Sequence, residues 1–398
     1  LVKMDFLGLK TLTLIRNTEK LVKNKISNFL VEEIPDYDGK TFRMLSEGKS
    51  TCIFQFESSG MQGILKQAKP DSIEDLIALN ALYRPGPMQY IPQFTDSKSG
   101  RTPISYPHPS LEEVLKPTYG VIVYQEQVMK VAQIIGGFSL GKADILRRAM
   151  SKKKEKEMET LKVEFIEGAL KKGFDKKLAD SIFEMLKPFA NYGFNKSHAA
   201  AYSVLAYQTA FLKANFPAEF MAANLTNEIN NPDKLADYIS ETQGMGIEIL
   251  PPNINLSDKY FSVTDEKIVY GMIGIKNVGE AAVEEIVARR EKDGPFSSFI
   301  DFIERVDLKT VNKKVLETSI QTGMFDSLGA NRATLLHNLD KILDFVSRDK
   351  ADQGVGQVSL FESQEHEEFH SIELEEIDEW PQNDLLKFEK DYLGFYFS

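Results

Sequence analysis

The chain has 398 residues, and at 42% apolar and 27% charged it sits close to globular averages, with room for roughly two to three domains at ~150 residues each. Its single cysteine, Cys52, excludes an intramolecular disulfide framework and a Cys-based zinc cluster, and no apolar run approaches the ~18 residues a membrane span needs. The formal charge of −11 does not exclude a nucleic-acid partner, because the segment from Glu362 to Asp391 alone carries twelve acidic residues against two lysines, whereas Gly141 to Lys177 carries twelve Lys and Arg against seven Asp and Glu.

In chain order, Leu1 is no initiator methionine, so the sequence reads as a piece of something longer. Leu1 to Leu9 is apolar and β-compatible; Leu9, Leu12, Ile15, Leu21 and Val22 then fall at roughly helical spacing. Pro35-Asp36-Tyr37-Asp38-Gly39 is a turn cluster. From Lys40 to Gly246 the patterns are almost all helical, with helices expected over Ser72–Tyr83, Gln125–Ile135, Lys153–Lys172, Lys176–Leu186, His198–Asn215 and Ala218–Glu228. Val121–Tyr124 reads as a short strand. Pro251-Pro252 marks a boundary, followed by a small hairpin of Tyr260–Thr264 with Lys267–Tyr270 and short helices near 279–292, 297–305, 311–320 and 331–347. Asp352 to Gly356 reads as a polar linker before the acidic tail. The expected fold is mainly α: a large helical domain, a smaller helical module and a few short strands.

Several segments carry chemistry. Asp5, alone in an apolar stretch, must be paired, metal-bound or at an edge, because burying a free carboxylate is costly. Ala81-Leu-Tyr-Arg84-Pro-Gly-Pro87, Tyr124-Gln125-Glu-Gln127 and Leu146-Arg147-Arg148-Ala-Met-Ser-Lys152 bring guanidinium and ammonium groups of the kind a polyphosphate requires; a solvated basic helix accounts for the charge alone equally well. Asn191-Tyr-Gly-Phe-Asn195-Lys196-Ser-His198 opens a helix whose free N–H groups and positive dipole end suit an anion, as they also suit an ordinary cap. Gly274-Ile-Lys276-Asn277-Val-Gly279 before an amphipathic pattern is the signature of a helix–hairpin–helix, which offers backbone N–H groups to a DNA phosphate. Gln321 to Asp326, followed by Asn331-Arg332, reads as a degenerate second hairpin. Gln357-Val-Ser359-Leu360-Phe361 places two large apolar side chains in a hydrophilic stretch, a pattern suited to a partner's pocket. His366 and His370 lack a third ligand and are not taken as a metal site. Trp380, Leu385, Leu386, Phe388, Tyr392, Leu393 and Phe395 are expected to pack the tail back on the body.

Met4-Asp5-Phe-Leu-Gly-Leu, Leu82-Tyr-Arg-Pro-Gly-Pro, Tyr124-Gln-Glu-Gln-Val-Met, Leu146-Arg-Arg-Ala-Met and Tyr192-Gly-Phe-Asn-Lys-Ser-His, in this order, resemble the bacterial replicative DNA polymerase III alpha subunits, the C-family polymerases. The resemblance covers essentially the whole chain. It implies a palm remnant at 1–35, a fingers domain at 36–246, a clamp-binding domain with the helix–hairpin–helix at 247–350, and a linker, clamp motif and acidic tail at 351–398. It makes Asp5 one carboxylate of a two-metal Mg²⁺ site. Arg147, Arg148, Lys152, Lys196 and His198 become triphosphate or template contacts, with Asn195 at the same helix start and Arg84 and Gln125 as positional partners. Gly274, Lys276, Asn277 and Gly279 form the DNA-binding hairpin, and Gln357, Ser359, Leu360 and Phe361 the contact to the sliding clamp (beta subunit). Implied partners are primer–template DNA, dNTPs and the other replicase holoenzyme subunits, in the cytoplasm and without a membrane. The family's other two palm aspartates lie upstream of Asp5, and Asp36-Tyr37-Asp38 does not match them, so this stretch alone is expected not to polymerise. The alternative is a non-catalytic DNA-binding and clamp-tethering module; Arg147-Arg148 and the Lys196–His198 segment separate the two, since a tether has no use for a triphosphate site.

Overall fold

The computed structural model describes residues 8–151, 155–354 and 374–397. Asp5, Lys152, Gln357, Ser359, Leu360, Phe361, His366 and His370 lie outside the described residues, as does most of the apolar Leu1–Leu9 stretch. Among the described residues the architecture is mainly α, with eighteen helices and one three-stranded sheet. In chain order the first helices are α1 (Lys10–Lys23), α2 (Gly39–Ser46), α3 (Ser59–Ala68), α4 (Ile73–Leu82), α5 (Ile91–Lys98) and α6 (Glu112–Leu115). Then come α7 (Gln125–Ile134), α8 (Leu140–Ser151), α9 (Glu155–Lys171), α10 (Lys176–Tyr192), α11 (Lys196–Asn215), α12 (Pro217–Asn227) and α13 (Pro232–Gly244). Strands β1 (Ile249–Leu250), β2 (Ser262–Thr264) and β3 (Lys267–Val269) precede α14 (Glu280–Asp293), α15 (Phe299–Arg305), α16 (Lys313–Gln321), α17 (Arg332–Gly354) and α18 (Gln382–Leu393).

The chain divides into two compact units, Phe29–Phe216 and a discontinuous one made of Leu1–Asn28 and Pro217–Ser398. These units cut the chain elsewhere than at 35/36 and 246/247. Helix α1 packs on α12, with Leu14, Ile15 and Val22 buried, so the first twenty-eight residues go with the C-terminal half.

Within Phe29–Phe216 polar caps start the helices. Asp38, Ser72, Asp175 and Asn195 each accept a backbone N–H from the first turn of α2, α4, α10 and α11. Asp38 of the Asp36-Tyr37-Asp38 turn is therefore committed to capping. Two apolar clusters fill the unit, one gathering Phe42, Phe56, Leu79, Phe94 and Tyr207 and the other Leu111, Val131, Leu146, Phe165 and Phe183. In the second, a Cβ on Gly168 of α9 would lie 1.9 Å from the Gly136 carbonyl oxygen, so only glycine lets these backbones meet. In the first, Asp75 is 1% exposed and bonded to Lys98 (2.9 Å) and the Tyr119 hydroxyl (3.0 Å).

Val121–Tyr124 is extended but is not a strand, because its polar groups are satisfied otherwise. The Val123 and Tyr124 N–H groups donate to Gln127 Oε1 (2.8 and 3.0 Å), and a single parallel bridge joins Tyr124 to Phe194.

In the other unit the expected hairpin forms, β2 antiparallel to β3 through a two-residue turn in which Asp265 and Glu266 both take positive φ. The structure adds β1, parallel to β3 with Ile249 opposite Ile268; two residues were too short a signal to read. The expected linker at 352–356 begins inside α17, which runs to Gly354. The tail packs back as expected: α18 contacts α16, Trp380 lies 4.9 Å from Phe388, and Leu393 and Phe395 are buried.

Candidate functional site

The predicted phosphate-binding residues converge on one face of the Phe29–Phe216 unit. The parallel bridge ties the start of α7 to the start of α11: Phe194 donates its N–H to the Val123 carbonyl (3.1 Å), and Gln125 donates to the Phe194 carbonyl (3.0 Å). Arg84, just past α4, lays its guanidinium 4.6 Å over the Phe194 ring. Arg147 of α8 donates to Gln125 Oε1 (3.2 Å). A cavity of about 340 Å³ opens among Arg84, Gln125, Gly193, Phe194 and Asn195. A second, of about 240 Å³, shares Arg84 and Phe194 and is lined also by His198 and Tyr202. A groove of about 640 Å³ runs past Tyr124, Glu126, Lys130, Lys172 and Lys196.

Three cations of this face, Arg147, Arg148 and Lys196, are held by carboxylates. Asp144 takes Arg147 (2.7 Å) and Arg148 (2.6 Å), one turn along the same helix. The hydrogen bonds from Arg147, aided by both guanidinium charges, hold the Asp144 carboxyl below its ordinary range. Lys196 pairs through Nζ with Glu74 (3.0 Å) and lies 5.4 Å over the Tyr124 ring. The helix start expected to offer free N–H groups is already occupied. Both oxygens of Glu126 accept the Lys196 backbone N–H (3.1 and 3.2 Å), and Asn195 Oδ1 accepts that of His198 (2.9 Å). An anion therefore sits on the positive end of α11, and it is the protein's own. Tyr124 is 2% exposed and its hydroxyl has no hydrogen-bond partner; burial, with Glu74, Asp75 and Glu126 nearby, pushes that hydroxyl well above its ordinary range.

Arg84, Gln125, Arg147, Arg148, Asn195, Lys196 and His198 thus share one surface. Glu74, Glu126, Asp144, Phe194 and Tyr202 were missed, although Asp144 at i−3 and i−4 from the arginines was a legible pairing signal. Among the described residues no group of three or more His, Cys, Asp or Glu could hold a metal ion, and Asp5 lies outside them.

In the second unit the Gly274–Gly279 hairpin follows a single 3₁₀ turn (Met272–Gly274) and opens α14. Its glycines serve different ends. A Cβ on Gly274 would meet the Tyr270 ring at 2.9 Å, while Gly279 faces open space; the left-handed residue is Asn277 (φ +69). Gly279 caps α14 without a side-chain hydrogen bond, leaving first-turn N–H groups to an outside acceptor. Lys276 and Asn277 are exposed, but the Lys276 N–H donates to the Tyr392 carbonyl (3.0 Å). The degenerate second hairpin is closed: the Arg332 guanidinium packs against Gly323, where a Cβ would lie 2.2 Å from it, and pairs with Asp326 at 2.8 Å.

The model of the bacterial DNA polymerase III alpha subunit finger domain matches residues 11–173, and that of the helix–hairpin–helix motif matches residues 246–335. Over the full chain the sequence is 62% identical to DNA polymerase III subunit alpha of Borreliella burgdorferi, 55% to that of Treponema pallidum and 47% to that of Bacillus subtilis, covering 35%, 34% and 35% of those proteins. The chain spans about a third of the length of the curated relatives it matches. With its helical architecture and its glycine hairpin, the chain belongs to the bacterial DNA polymerase III alpha subunit family, as a segment of it that carries the finger domain.

Proposed function

We propose that this chain is the part of a replicative DNA polymerase that grips the triphosphate of the incoming dNTP and contacts primer–template DNA. The observation that carries the reading is that Arg84, Gln125 and Lys196, from three separate elements, line adjoining cavities, with Arg147 of a fourth bonded to Gln125. Charge-assisted contacts from guanidinium forks and an ammonium suit a polyphosphate, and positive charge fixed there stabilises the negative charge moving along the phosphate chain during transfer. Asp144 and Glu74 keep Arg147, Arg148 and Lys196 placed, and a triphosphate takes over their contacts. The Gly274–Gly279 hairpin holds a DNA phosphate irrespective of sequence, and Gln357, Ser359, Leu360 and Phe361 tether the polymerase to the sliding clamp alongside other replicase subunits. Asp5 is the family's metal-site carboxylate, whose Mg²⁺ ions supply the activation of the primer hydroxyl when bound; with its partner aspartates outside this segment, the segment alone does not polymerise. The setting is the bacterial cytoplasm; no described helix is long and apolar enough to cross a membrane.

The test is calorimetric titration of dATP and of inorganic tripolyphosphate into the chain and into Arg147→Ala. A contact of roughly 1.5–3 kcal/mol predicts at least tenfold weaker binding of both. Equal affinities would overturn the reading.

A further inference from the structure

Two helix starts in this protein carry a carboxylate of the chain itself, brought from a distant segment. At α11 both oxygens of Glu126 accept the Lys196 N–H. At α17 the oxygens of Glu379 accept the N–H groups of Arg332 (2.8 Å) and Ala333 (3.1 Å). Both follow the preference of a positive helix end for an anion. Helix α14, which the glycine hairpin opens, has a carboxylate of its own at hand in Glu280, its first residue. Yet among the described residues no side chain accepts an N–H of Glu280, Ala281 or Ala282. The Glu280 carboxylate is bonded instead to Lys259 Nζ, which also takes Glu284, one turn further on (2.7 Å).

The backbone places Lys259 for this. The Met272 and Ile273 N–H groups donate to the Asp258 and Lys259 carbonyls (2.9 and 3.1 Å). Arg290 of α14 donates to the Ser257 carbonyl (2.7 Å) and pairs with Asp258 (2.7 Å). A Cβ on Gly271 would run into the Tyr260 backbone, so glycine there lets the segment lie against the approach to the hairpin. The hydrogen bonds to Glu280 and Glu284 raise the Lys259 ammonium above its ordinary 10.5, so its charge persists at every working pH. Without it, two anions stand unneutralised on the first two turns of α14, and Glu280 has the free N–H groups of its own helix to turn to.

We propose that Lys259 is a positioning residue for the glycine hairpin: by holding Glu280 and Glu284 along the side of α14, it keeps the chain's own carboxylates off the first-turn N–H groups and leaves these to a DNA phosphate. The inference rests on the reading of the hairpin as a DNA contact and adds the residue that keeps it open. Lys259 acts through Glu280 and not on the DNA. An exposed ion pair of this kind adds little to stability, so its removal leaves the fold standing and changes what the helix start binds.

A labelled DNA duplex is titrated into the 398-residue chain and into Lys259→Met, Glu280→Gln, the double variant Lys259→Met/Glu280→Gln and Gly279→Leu. Lys259→Met should bind duplex about tenfold more weakly, the loss of one charge-assisted phosphate contact, at an unchanged melting temperature. Removing the competing carboxylate should rescue it: the double variant should bind within about twofold of Glu280→Gln. Equal affinity of Lys259→Met and the parent would overturn the inference. So would a loss that persists in the double variant, since Lys259 would then touch the DNA itself or serve the fold alone. Lys259→Gln repeats the comparison if the Met variant does not fold, with the same two outcomes. If Gly279→Leu leaves duplex affinity unchanged, the hairpin reading falls and takes this inference with it. If Gly279→Leu weakens binding while Lys259→Met does not, the hairpin stands and Lys259 has no part in it.

Discussion

Arg147 does two things at once. Its guanidinium stays on Asp144 at the distance of a strong ion pair, yet reaches across to the amide of Gln125 on another helix. In the polymerase at the full length of its relatives, Arg147→Ala should raise the apparent KM for dNTP or lower kcat while primer–template affinity changes little. A fall in DNA affinity with unchanged dNTP kinetics would make this face a template surface. The Asp75–Lys98–Tyr119 triad gives a different kind of prediction. Burial raises the Asp75 carboxyl, but hydrogen bonds from the Asp71 N–H and Lys98 outweigh it and leave the group below its ordinary 3.8. Burial likewise lowers Lys98, and its bonds to Asp75 and Asp71 outweigh that and raise it above 10.5. Asp75 therefore contributes stability that is complete above about pH 4 and is lost as pH falls through its lower folded value. Lys98 contributes stability that is complete below about pH 10.5 and is lost as pH rises through its higher folded value. Lys98→Met should cost roughly 3–5 kcal/mol, since it leaves a buried carboxylate without its cation, and should flatten both limbs of the urea midpoint plotted against pH. A variant that retained the acid limb would assign that limb to other groups. The cap at Asn195 and the charge cluster of Arg147 and Arg148 were legible because caps and charge clusters are local in sequence. Glu126 was not, because its partner is a backbone N–H seventy residues away.

Elements were read well where the apolar period was long. Helices α4, α7, α9 and α11 lie within a few residues of expectation, and Ser72 and Asn195 cap the starts of α4 and α11. Val121–Tyr124 misled because a buried extended segment and a strand share one apolar pattern; what distinguishes them is where the hydrogen bonds go, here to the side chain of Gln127. The crossing of α9 over Gly136 sets a packing prediction. Gly168→Ala should cost roughly 1–3 kcal/mol through backbone displacement, seen as a lower melting temperature; an unshifted transition would mean that the backbones separate freely. The glycine hairpin allows a cleaner functional test, since Gly279 faces open space and its replacement disturbs no packing. Gly279→Leu should weaken binding of duplex DNA to a similar extent for unrelated sequences, with the melting temperature unchanged. Gly274→Ala, which meets the Tyr270 ring, should instead lower stability. Equal duplex affinity in Gly279→Leu would rule the hairpin out as a contact.

For the whole molecule, the acidic segment and the pentapeptide within reach of it define a separate expectation. Replacing Leu360 and Phe361 together by Ala removes side chains whose burial is worth about 1.5–3 kcal/mol each and should abolish most binding to a bacterial sliding clamp. In the full-length polymerase, clamp-stimulated product length should fall much more than single-nucleotide incorporation, because a tether raises effective concentration without touching chemistry. Retention of both clamp affinity and product length would make the pentapeptide ordinary chain. The charge runs that marked this tail were plain in sequence, whereas the pairing of α1 with α12 was not, since nothing local announces a partner two hundred residues on.

That pairing governs how the chain comes off the ribosome. Helix α1 emerges ahead of the Phe29–Phe216 unit and finds α12 only after that whole unit has been synthesised. At roughly 5–20 residues per second the wait is on the order of ten seconds or more. During it, the buried stripe of Leu14, Ile15 and Val22 is without its mate. The intervening unit can shorten the search. Phe29 and Phe216, its first and last residues, bring their rings within 5.0 Å of each other, so once it folds, a loop of nearly two hundred residues becomes a short one. Most of the closure entropy is then already spent when α12 emerges. Nascent-chain folding of the inserted unit is thus the step that sets when the discontinuous one can begin.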